Sequence, residues 1–518
     1  MIQYNKPGSL RFFGSNAAEL FSREVELSFK GVMAKNMITD ENDPMAGFTT
    51  ASTDGRGWSD TMWTRDSGTF MRELVHWGYY GYACMLAENV IKLVRKNSEG
   101  FYTFPEYFRY DMPQSGSELD GTSTIVIGMV LLWERIDDRN PTRSKIEEFL
   151  FDEASPLEYI IMKLGKYPLI PGSGEFGGGC GIEGEFYNVV QNNLVRLALQ
   201  AAEKMTLALG NIEKADIYSV YAEQISANML KYLRSANDTW VWCINTQTLD
   251  TVDEVINSTI NKGFGGINGV FSMLSDVYGL EPFNCNWEGL STCMNTFDKL
   301  LAFPIRKTMF DKYGIWTQFD RFCNGYYTSP SYGHAYAAQV MLLSDRLDMA
   351  EKAIDFLAET TYSPLAYNKI DRESPYYFYE RIYLPELAAM VGNIDDCGFN
   401  VFNGDHFDQG CGALNLVNVT EPIKVARLMA GIDDANPDEL NMIPRIPKGW
   451  GGFDALNWPV LTREGKKFID VSYSHNNGKI SLRLKVRNGE TIRGISIRLP
   501  ADNGFKRLKY LDVQEINI

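Results

Sequence analysis

The sequence predicts a mainly α fold, a closed toroid of helical hairpins followed by a small C-terminal antiparallel β module. Helical segments joined in pairs by short turns recur from about residue 66 to residue 430. After about residue 441 the apolar spacing changes to the alternation of β-strands. No short sequence repeat of the kind that builds an open solenoid is present. We expect three regions: an N-terminal cap or arm over 1–57, a helical domain over 58–435 and the β module over 436–518.

The composition is that of a large folded protein. Its 518 residues are 45% hydrophobic and 13% aromatic, which is enough to build a sizeable core. The formal net charge of −16 argues against nucleic acid and anionic membrane surfaces as partners. A neutral small molecule or a glycan fits this charge better.

The cysteines and the first residues indicate which kinds of site and which cellular location to expect. The eight cysteines form no C-x-x-C pair and no cluster with histidine, so we expect no metal, no cofactor and no disulfide framework. The first residues lack the basic and then apolar run of a signal peptide. No stretch approaches the ~18 apolar residues that a membrane span needs. The expectation is a soluble, cytoplasmic protein of open oligomeric state.

Helix-type spacing appears in order along the chain. The first hairpin begins at Asp66 and breaks between Gly78 and Gly81. In the β module, Asn477-Gly478 and Asn488-Gly489 are dipeptides typical of hairpin turns. The other predicted helical segments are 122–136 paired with 143–164, 186–209 paired with 214–233, then 289–303, two helices within 334–360, and about 408–430.

Four loops beside predicted helix ends combine acidic and aromatic residues. The first holds Trp58, Asp60, Trp63, Arg65 and Asp66. Aromatic rings offer an apolar face on which a sugar can stack, and an Arg/Asp pair directs hydrogen bonds to hydroxyl groups. The competing interpretation is a helix capped by Asp66 with the tryptophans in the core.

The second loop places Glu118 and Asp120 just before a helix whose N-cap is either Thr122 or Ser123. Acidic residues at a helix start stabilise the helix dipole as well as they bind a ligand. Helix capping and ligand binding are therefore equally supported for these two carboxylates.

The third loop is rich in glycine and contains Glu175, Glu183 and Glu185 immediately before a long amphipathic helix. Glycines let the backbone approach a ligand, and a carboxylic acid there is a candidate general acid. The alternative is that these glutamates only interact with the helix dipole. The sequence does not decide which of the three would be the acid.

The fourth loop, within 374–390, places Glu380 between Tyr379 and Arg381, with Glu386 a short way on. A carboxylate among aromatic rings is partly desolvated, which tunes its pKa for proton transfer. The alternative is an ordinary surface Glu–Arg pair. No nucleophile elbow, P-loop or dinucleotide fingerprint accompanies these loops, so carboxylates are the best candidates for acid–base chemistry.

Three segments resemble the six-hairpin (α/α)6 glycosidases, which include glucoamylases, trehalases, maltose and kojibiose phosphorylases and α-L-rhamnosidases. MWTRDSGTFMREL (62–74) is similar to the sugar-gripping segment of glucoamylase-like enzymes. GEFYNVVQNN (184–193) resembles the general-acid segment of the disaccharide phosphorylases. YYFYER (376–381) and the sequence after it resemble the end of the rhamnosidase catalytic domain. The resemblance implies an (α/α)6 toroid of six helical hairpins, with 58–435 as the catalytic domain.

The resemblance also implies roles for individual residues. Arg65 and Asp66 would hold the terminal sugar and Trp63 would stack on it, whereas Glu185 would be the general acid and Glu380 the general base. The segment 329–339 corresponds to the phosphate site of the phosphorylases but lacks their paired serines. The remaining expected substrate contacts are Trp58, Glu118, Asp120, Glu183, Tyr379 and His334.

The function expected from this resemblance is that of an inverting, exo-acting glycoside hydrolase. Its two carboxyl groups would stand roughly 6.5–9.5 Å apart, because a water molecule must fit between the base and the sugar. The alternatives are an inverting disaccharide phosphorylase and a non-catalytic carbohydrate-binding toroid. The sugar, the linkage and the anomer stay open, as does the choice of Glu386 over Glu380 as the base.

Overall fold

A computed structural model describes residues 7–52, 59–172, 184–254, 288–302, 307, 310–311, 327–328, 331–360, 382–383, 416–476, 478–501 and 504–518. The helices in these residues are α1 (Asn16–Lys35), α2 (Thr64–His76), α3 (Tyr80–Leu93), α4 (Leu119–Arg135), α5 (Pro141–Leu150), α6 (Pro156–Lys163), α7 (Val189–Ala208), α8 (Ile212–Tyr232), α9 (Glu288–Leu301), α10 (Ser331–Leu343), α11 (Leu347–Thr360) and α12 (Leu416–Ala430).

Short strands punctuate the helical part, and long strands form the C-terminal part. The short ones are β1 (Ser9–Phe13), β2 (Thr61–Trp63), β3 (Arg95–Lys96), β4 (Tyr102–Thr103), β5 (Tyr107–Arg109), β6 (Phe186–Asn188), β7 (Val241–Asn245), β8 (Thr251–Glu254), β9 (Tyr327–Thr328) and β10 (Ile382–Tyr383). The rest are β11 (Ile432–Asp433), β12 (Leu440–Met442), β13 (Gly452–Thr462), β14 (Gly465–Asn476), β15 (Lys479–Val486), β16 (Ile492–Ala501), β17 (Gly504–Val513) and β18 (Glu515–Asn517).

The predicted helical hairpins are confirmed, with three differences in detail. The segment 143–164 is two helices, because Ser155 and Pro156 supply a new N-cap and first turn for α6. The helix expected from residue 186 begins at Val189, since β6 precedes it and Asn188 accepts a hydrogen bond from the Gln191 backbone N–H at 2.8 Å. Helix α1, which starts at the Ser15 cap, was not predicted.

Five helices form an inner layer. In α2, every residue but Arg65 is buried, and α4 and α7 are nearly as enclosed. A helix that is buried on all sides belongs to the interior of a large domain. Neighbouring contacts run in the order α10, α12, α2, α4, α7. Outside them, α1 packs on α11 and α12, α3 on α2, α8 on α7, and α11 on α10.

Four of the inner helices, α2, α4, α7 and α12, run in the same direction. Between α2 and α12, the hydroxyl groups of Thr69 and Thr420 lie 3.3 Å apart, and further towards both C-terminal ends Arg427 Nη2 lies 3.1 Å from Glu73 Oε1. Between α4 and α7, Lys204 binds Glu134 at 2.9 Å close to both C-terminal ends. The N-terminal ends of these helices therefore lie on one side of the layer.

The β module contains two sheets. The five-stranded sheet has the order β1-β13-β14-β15-β18, and the four-stranded sheet has the order β11-β12-β16-β17. The module is not wholly antiparallel as expected, because β12 and β16 pair in parallel. Parallel neighbours need a long connection, and here β13, β14 and β15 lie between them in sequence. Strand β1 brings the N-terminal segment into the first sheet.

The two predicted turns behave differently. Strands β14 and β15 form the expected hairpin, in which Asn476 pairs with Lys479. The hairpin expected at Asn488-Gly489 is wrong: the two residues do adopt positive φ angles, but they lie in a 3₁₀ turn that leads from one sheet to the other. The dipeptide predicts the backbone conformation and not the pairing of the flanking strands.

Ion pairs attach the β module to the C-terminal ends of the inner helices. Arg135 Nη2, at the end of α4, lies 2.8 Å from Asp434 Oδ1, and Asp434 Oδ2 accepts a 2.7 Å hydrogen bond from the backbone N–H of Leu461 in β13. Asp345, just after α10, is held by Arg498 of β16 at 2.7 Å. The opposite, N-terminal side of the layer carries Arg65 and Asp66 at the start of α2 and Asp120 at the start of α4. Within the described parts of the chain, no helix is long and apolar enough to cross a bilayer.

Candidate active site

The start of α2 is fixed by the strand pair that precedes it. Strand β2 pairs antiparallel with β5, which sets Trp63 opposite Tyr107. At Thr64 the backbone N–H donates to the Glu106 carbonyl at 3.1 Å, and the hydroxyl group donates to the Pro105 carbonyl at 2.7 Å. These bonds satisfy donors at the helix start and define where Arg65 and Asp66 emerge.

Glycine contacts bring the starts of α2 and α4 together. A Cβ atom on Gly121 would lie 2.3 Å from the Thr64 hydroxyl oxygen, and one on Gly68 would lie 2.4 Å from the backbone of Thr124. Only hydrogen at these positions allows the two backbones to approach so closely. The first turns of the helices, which carry the predicted site residues, are therefore side by side.

An ion-pair cluster results from this packing. Arg65 Nη1 lies 3.3 Å from Asp120 Oδ2, and Arg65 Nε lies 3.6 Å from Asp66 Oδ1. The Arg65 side chain is 16% exposed, whereas those of Asp66 and Asp120 are 6% and 0% exposed. One guanidinium group thus joins two carboxylates from different helices. The structure brings together three of the residues predicted from two separate loops.

Glu118 lies beside this cluster and is 2% exposed. It occupies the N-cap position of α4, yet its side chain makes no capping hydrogen bond. Burial raises the pKa of Glu118 well above its usual range, and the adjacent Asp120 raises it further, against a smaller lowering by Arg65. Burial and a neighbouring acid both favour the neutral form of a carboxyl group.

Aromatic rings lie next to the cluster. The rings of Trp63 and Tyr107 are 5.5 Å apart at an angle of 41°. Tyr107 was not among the predicted site residues, because its proximity to Trp63 comes from the pairing of β2 with β5. Its position within an aromatic loop, FPEYFRY, is the one sequence signal that pointed to it.

Glu185, the expected general acid, is exposed and lies in the loop before β6. Its carbonyl oxygen accepts a 2.9 Å hydrogen bond from the backbone N–H of Thr246. Because α7 runs in the same direction as α4, Glu185 lies at the same end of the inner layer as Arg65 and Asp120. Strand β6 separates Glu185 from the start of α7, so Glu185 does not come directly before the helix as the sequence predicted.

His334 is placed inside the helical layers. It is 2% exposed, and its ring stacks on that of Phe356 in α11 at 5.3 Å and 22°. Stacking between an inner and an outer helix is a packing contact in the first instance. Six of the predicted residues lie outside the described residues: Trp58, Glu175, Glu183, Tyr379, Glu380 and Glu386.

A buried charged network lies one to two turns below the cluster. Glu73 accepts from Arg72 at 2.6 Å and from Arg427 at 3.1 Å, while Arg72 Nη2 reaches Glu421 at 3.2 Å. Burial alone would raise the pKa of Glu73, but Arg427 and Arg72 outweigh it and lower that pKa. Burial and the surrounding cations, Arg427 first, lower the pKa of His76 well below its usual value. This network joins α2 to α12 and was not predicted.

Comparisons with known proteins identify the fold. No protein-family model matches the sequence, and no curated protein matches it. Among solved structures, an α-L-rhamnosidase from Dictyoglumus thermophilum is similar over 99% of this chain and 50% of its own, at 10% identity and a TM-score of 0.58. A native α-L-rhamnosidase from Aspergillus terreus is similar over 100% of this chain and 50% of its own, at 11% identity and a TM-score of 0.55.

A glucoamylase from Saccharomycopsis fibuligera is similar over 80% of this chain and 96% of its own, at 12% identity and a TM-score of 0.50. The chain spans about half the length of the two rhamnosidases. At these identities the similarity concerns the fold alone. The fold is that of the six-hairpin glycosidases, as the sequence resemblance predicted.

Proposed function

We propose that this protein is a glycoside hydrolase whose active site lies at the N-terminal end of the inner helices. The observation that carries the proposal is the Arg65 cluster, in which Asp66 and Asp120 meet one guanidinium group beside Trp63 and Tyr107. The fold shared with rhamnosidases and a glucoamylase supports it, because enzymes with those names act on glycosidic bonds.

The cluster has the groups that a neutral sugar requires. Asp66 and Asp120 accept hydrogen bonds from hydroxyl groups, and Arg65 donates to ring or hydroxyl oxygens. Trp63 offers the apolar surface on which a sugar face stacks. Burial of both carboxylates strengthens such charge-assisted bonds, because water competes less for them. The proposed binding residues also include Trp58, Glu118, Glu183, His334 and Tyr379.

For the chemistry we assign Glu185 as general acid and Glu380 as general base, with Glu175 or Glu183 as the alternative acid and Glu386 as the alternative base. The acid protonates the leaving oxygen, and the base removes a proton from water on the opposite face of the sugar. Water then bonds to the anomeric carbon as the glycosidic bond breaks, so the configuration is inverted. We propose exo action, with release of a terminal sugar.

The proposed architecture follows from the same assignment. In the described residues five inner helices contact one another in series, and we propose that the rest of the chain closes them into an (α/α)6 toroid. The proposed catalytic domain covers 58–435, between the N-terminal region of 1–57 and the β module of 436–518. The loops at 58–66, 108–121, 172–186 and 374–386 would then surround one opening.

Product analysis tests this function. The protein is incubated with a panel of aryl glycosides and disaccharides that includes α-L-rhamnosides and glucosides, with and without phosphate, and products are followed by proton NMR. We expect a free sugar of inverted configuration, formed without phosphate. Binding without turnover on the whole panel would favour a carbohydrate-binding toroid.

Glu380→Gln separates the hydrolase from a phosphorylase. A hydrolase must deprotonate water, so the variant loses activity on every substrate, and added azide partly restores it because an anionic nucleophile needs no base. A phosphorylase uses an anion already, so its rate would depend on phosphate and on Ser331 or His334. Turnover that requires phosphate and survives Glu380→Gln would replace the hydrolase assignment with the phosphorylase.

A further inference from the structure

Glu118 and Asp120 present an unusual pair of buried carboxyl groups. Asp120 is fully buried and Glu118 is 2% exposed. In the described part of the chain, no group donates a hydrogen bond to either carboxyl oxygen of the Glu118 side chain or to Oδ1 of Asp120. A buried carboxylate without a donor is costly, because it loses the hydrogen bonds that water supplied. A carboxyl group without a donor, next to a second one that has a donor on only one oxygen, requires another explanation.

The charges that face the pair do not supply the missing donor. From α2, Arg65 contacts Asp120 only through Oδ2, and it also contacts Asp66. Glu106, from the segment before β5, adds a further negative charge near Glu118. Among the described residues, Arg65 thus pairs with Asp66 and Asp120, while Asp120 and Glu106 act on Glu118 as negative charges. If both were ionised, Glu118 and Asp120 would repel each other inside the protein.

We propose that Glu118 and Asp120 share one proton at neutral pH, and that Glu118 is a positioning residue that donates this proton in a hydrogen bond to Asp120 Oδ1. Arg65 holds Oδ2, so the Asp120 carboxylate is fixed from both sides. This is the arrangement of two acids that hold a single proton because they cannot both ionise. The proton supplies the donor that the geometry lacks.

The pair gives Asp120 a defined role toward a ligand. A carboxylate held at both oxygens keeps one orientation, so its remaining lone pairs point in fixed directions as acceptors for hydroxyl groups. The protonated partner also removes one negative charge from the site, which favours a neutral polyhydroxyl ligand over a cation. This link to carbohydrate rests on the proposed function, whereas the shared proton does not.

Charge measurement tests the shared proton directly. Glu118→Gln replaces a neutral group by a neutral group, so its electrophoretic mobility at pH 7 should equal that of the wild-type protein. The matched control is Glu223→Gln on the exposed face of α8, which should shift the mobility by one charge. If Glu118→Gln shifts the mobility as far as the control does, Glu118 is ionised and the proposal fails.

A second measurement needs no variant. Wild-type protein labelled with ¹³C at the glutamate side-chain carboxyl is examined by infrared spectroscopy at neutral pH. We expect the isotope to shift a band of a protonated carboxylic acid, and labelling only glutamate leaves Asp355, whose pKa burial raises to about 6, out of the spectrum. A spectrum that contains only ionised glutamate bands would overturn the proposal.

The positioning role has its own test on whichever aryl glycoside of the panel is cleaved. Glutamine can donate to Asp120 Oδ1 and alanine cannot, so kcat/KM of Glu118→Ala should fall on the order of tenfold or more below that of Glu118→Gln. Equal values would show that Glu118 only fills space. If no glycoside is cleaved, the proposed function fails, while the two protonation measurements still decide the shared proton.

Discussion

Among single residues, the cations within reach decide the state of a buried acid. Glu73 and Glu118 are both fully enclosed by the protein. Glu73 contacts the guanidinium groups of Arg72 and Arg427, which lower its pKa against the effect of burial. For Glu118, burial and a second acid, Asp120, both raise the pKa, and the lowering by Arg65 is smaller. The same type of side chain therefore has a lowered pKa in one turn of the inner layer and a raised pKa in another.

The state of Glu118 predicts how stability depends on pH. A raised folded pKa means that, between the unfolded value of about 4.3 and the folded pKa, the native protein binds more protons than the unfolded chain. Stability from this group is present below that value and declines as pH rises towards the folded pKa, by up to about 1.4 kcal/mol per pH unit. Glu118→Gln lacks this titration.

Urea unfolding of the wild-type protein and of Glu118→Gln between about pH 5 and about pH 8 measures this effect. The free energy of unfolding of the wild-type protein, relative to that of the variant, should fall as pH rises. The reason is that only the wild-type protein releases the Glu118 proton when it unfolds. Glu223→Gln is the control, since its exposed side chain should keep a constant difference from the wild-type protein. A constant difference for Glu118→Gln as well would contradict the raised pKa.

Glu185→Gln tests the assigned general acid. An amide cannot protonate the departing oxygen, so hydrolysis of substrates with poor leaving groups should fall ~10²–10⁴-fold, whereas binding is retained. Rates are compared on two aryl glycosides that differ in leaving-group pKa, with ligand affinity measured alongside. Glu175→Gln and Glu183→Gln are the matched comparisons from the same loop. If one of them shows the loss and Glu185→Gln does not, the acid is that residue.

The sequence indicates which residues are chemically suited to a site, and tertiary contacts decide what each does. Arg65, Asp66 and Asp120 were expected from two loops, and they meet in one cluster. The raised pKa of Glu118 was not predictable, because it depends on burial and on a neighbouring acid supplied by the fold. The contact of Trp63 with Tyr107 likewise depends on the pairing of two three-residue strands, which carries too little sequence signal to predict.

Among elements, the contact between α2 and α4 sets the geometry of the candidate site. Each glycine at the helix interface destabilises its helix by about 1 kcal/mol relative to alanine. They allow the backbones to approach until a Cβ on Gly68 would lie 2.4 Å from Thr124 backbone carbon. The closeness of Arg65 to Asp120 depends on this approach.

Gly68→Ala should therefore destabilise the protein in spite of the better helix propensity of alanine. The new methyl group meets backbone atoms that cannot move aside, and overpacking of this kind costs typically about 1–3 kcal/mol. Gly128→Ala in α4 is the graded control, because its Cβ would lie 3.1 Å from its nearest neighbours. Thermal unfolding compares the two variants. A melting temperature for Gly68→Ala equal to or above that of Gly128→Ala would show that the helices can separate without cost.

The elements were predictable where their apolar spacing is long and regular. Hairpin α2–α3 and the pairs α7–α8 and α10–α11 fall where the periodicity placed them. Helix α1 was missed, although Phe21, Val25, Phe29 and Val32 follow a helical spacing after the Ser15 cap. The polar residues between them obscured a one-sided stripe, which is the usual pattern of an outer helix.

On the scale of the whole molecule, the two ends of the chain meet in one sheet. Strand β1 pairs with β13 along all five of its residues, and α1, directly after it, packs on α11 and α12. The sequence predicted the N-terminal region as a separate cap or arm, since no local pattern records a pairing across more than 430 residues. The N-terminal segment thus connects the β module to the helical layers.

Phe12 is the residue through which this connection is most easily tested. It is 1% exposed, and its ring lies 5.5 Å from Trp450, 6.0 Å from Phe21 of α1 and 6.3 Å from Phe453 of β13. Truncation of a buried phenylalanine to alanine typically costs about 3–5 kcal/mol. The neighbouring Arg11 points to the other face of the strand and is exposed, so Arg11→Ala should change stability by no more than about 0.5 kcal/mol.

Hydrogen exchange followed by mass spectrometry shows how far the effect of Phe12→Ala spreads. Because Phe12 contacts both α1 and the sheet, we expect protection to fall together in β13 and in α12, which α1 covers. The Arg11→Ala protein should keep the wild-type pattern in both. If only the peptides of β1 and β13 lose protection while those of α12 keep it, the β module and the helical layers unfold independently, and the N-terminal segment does not couple them.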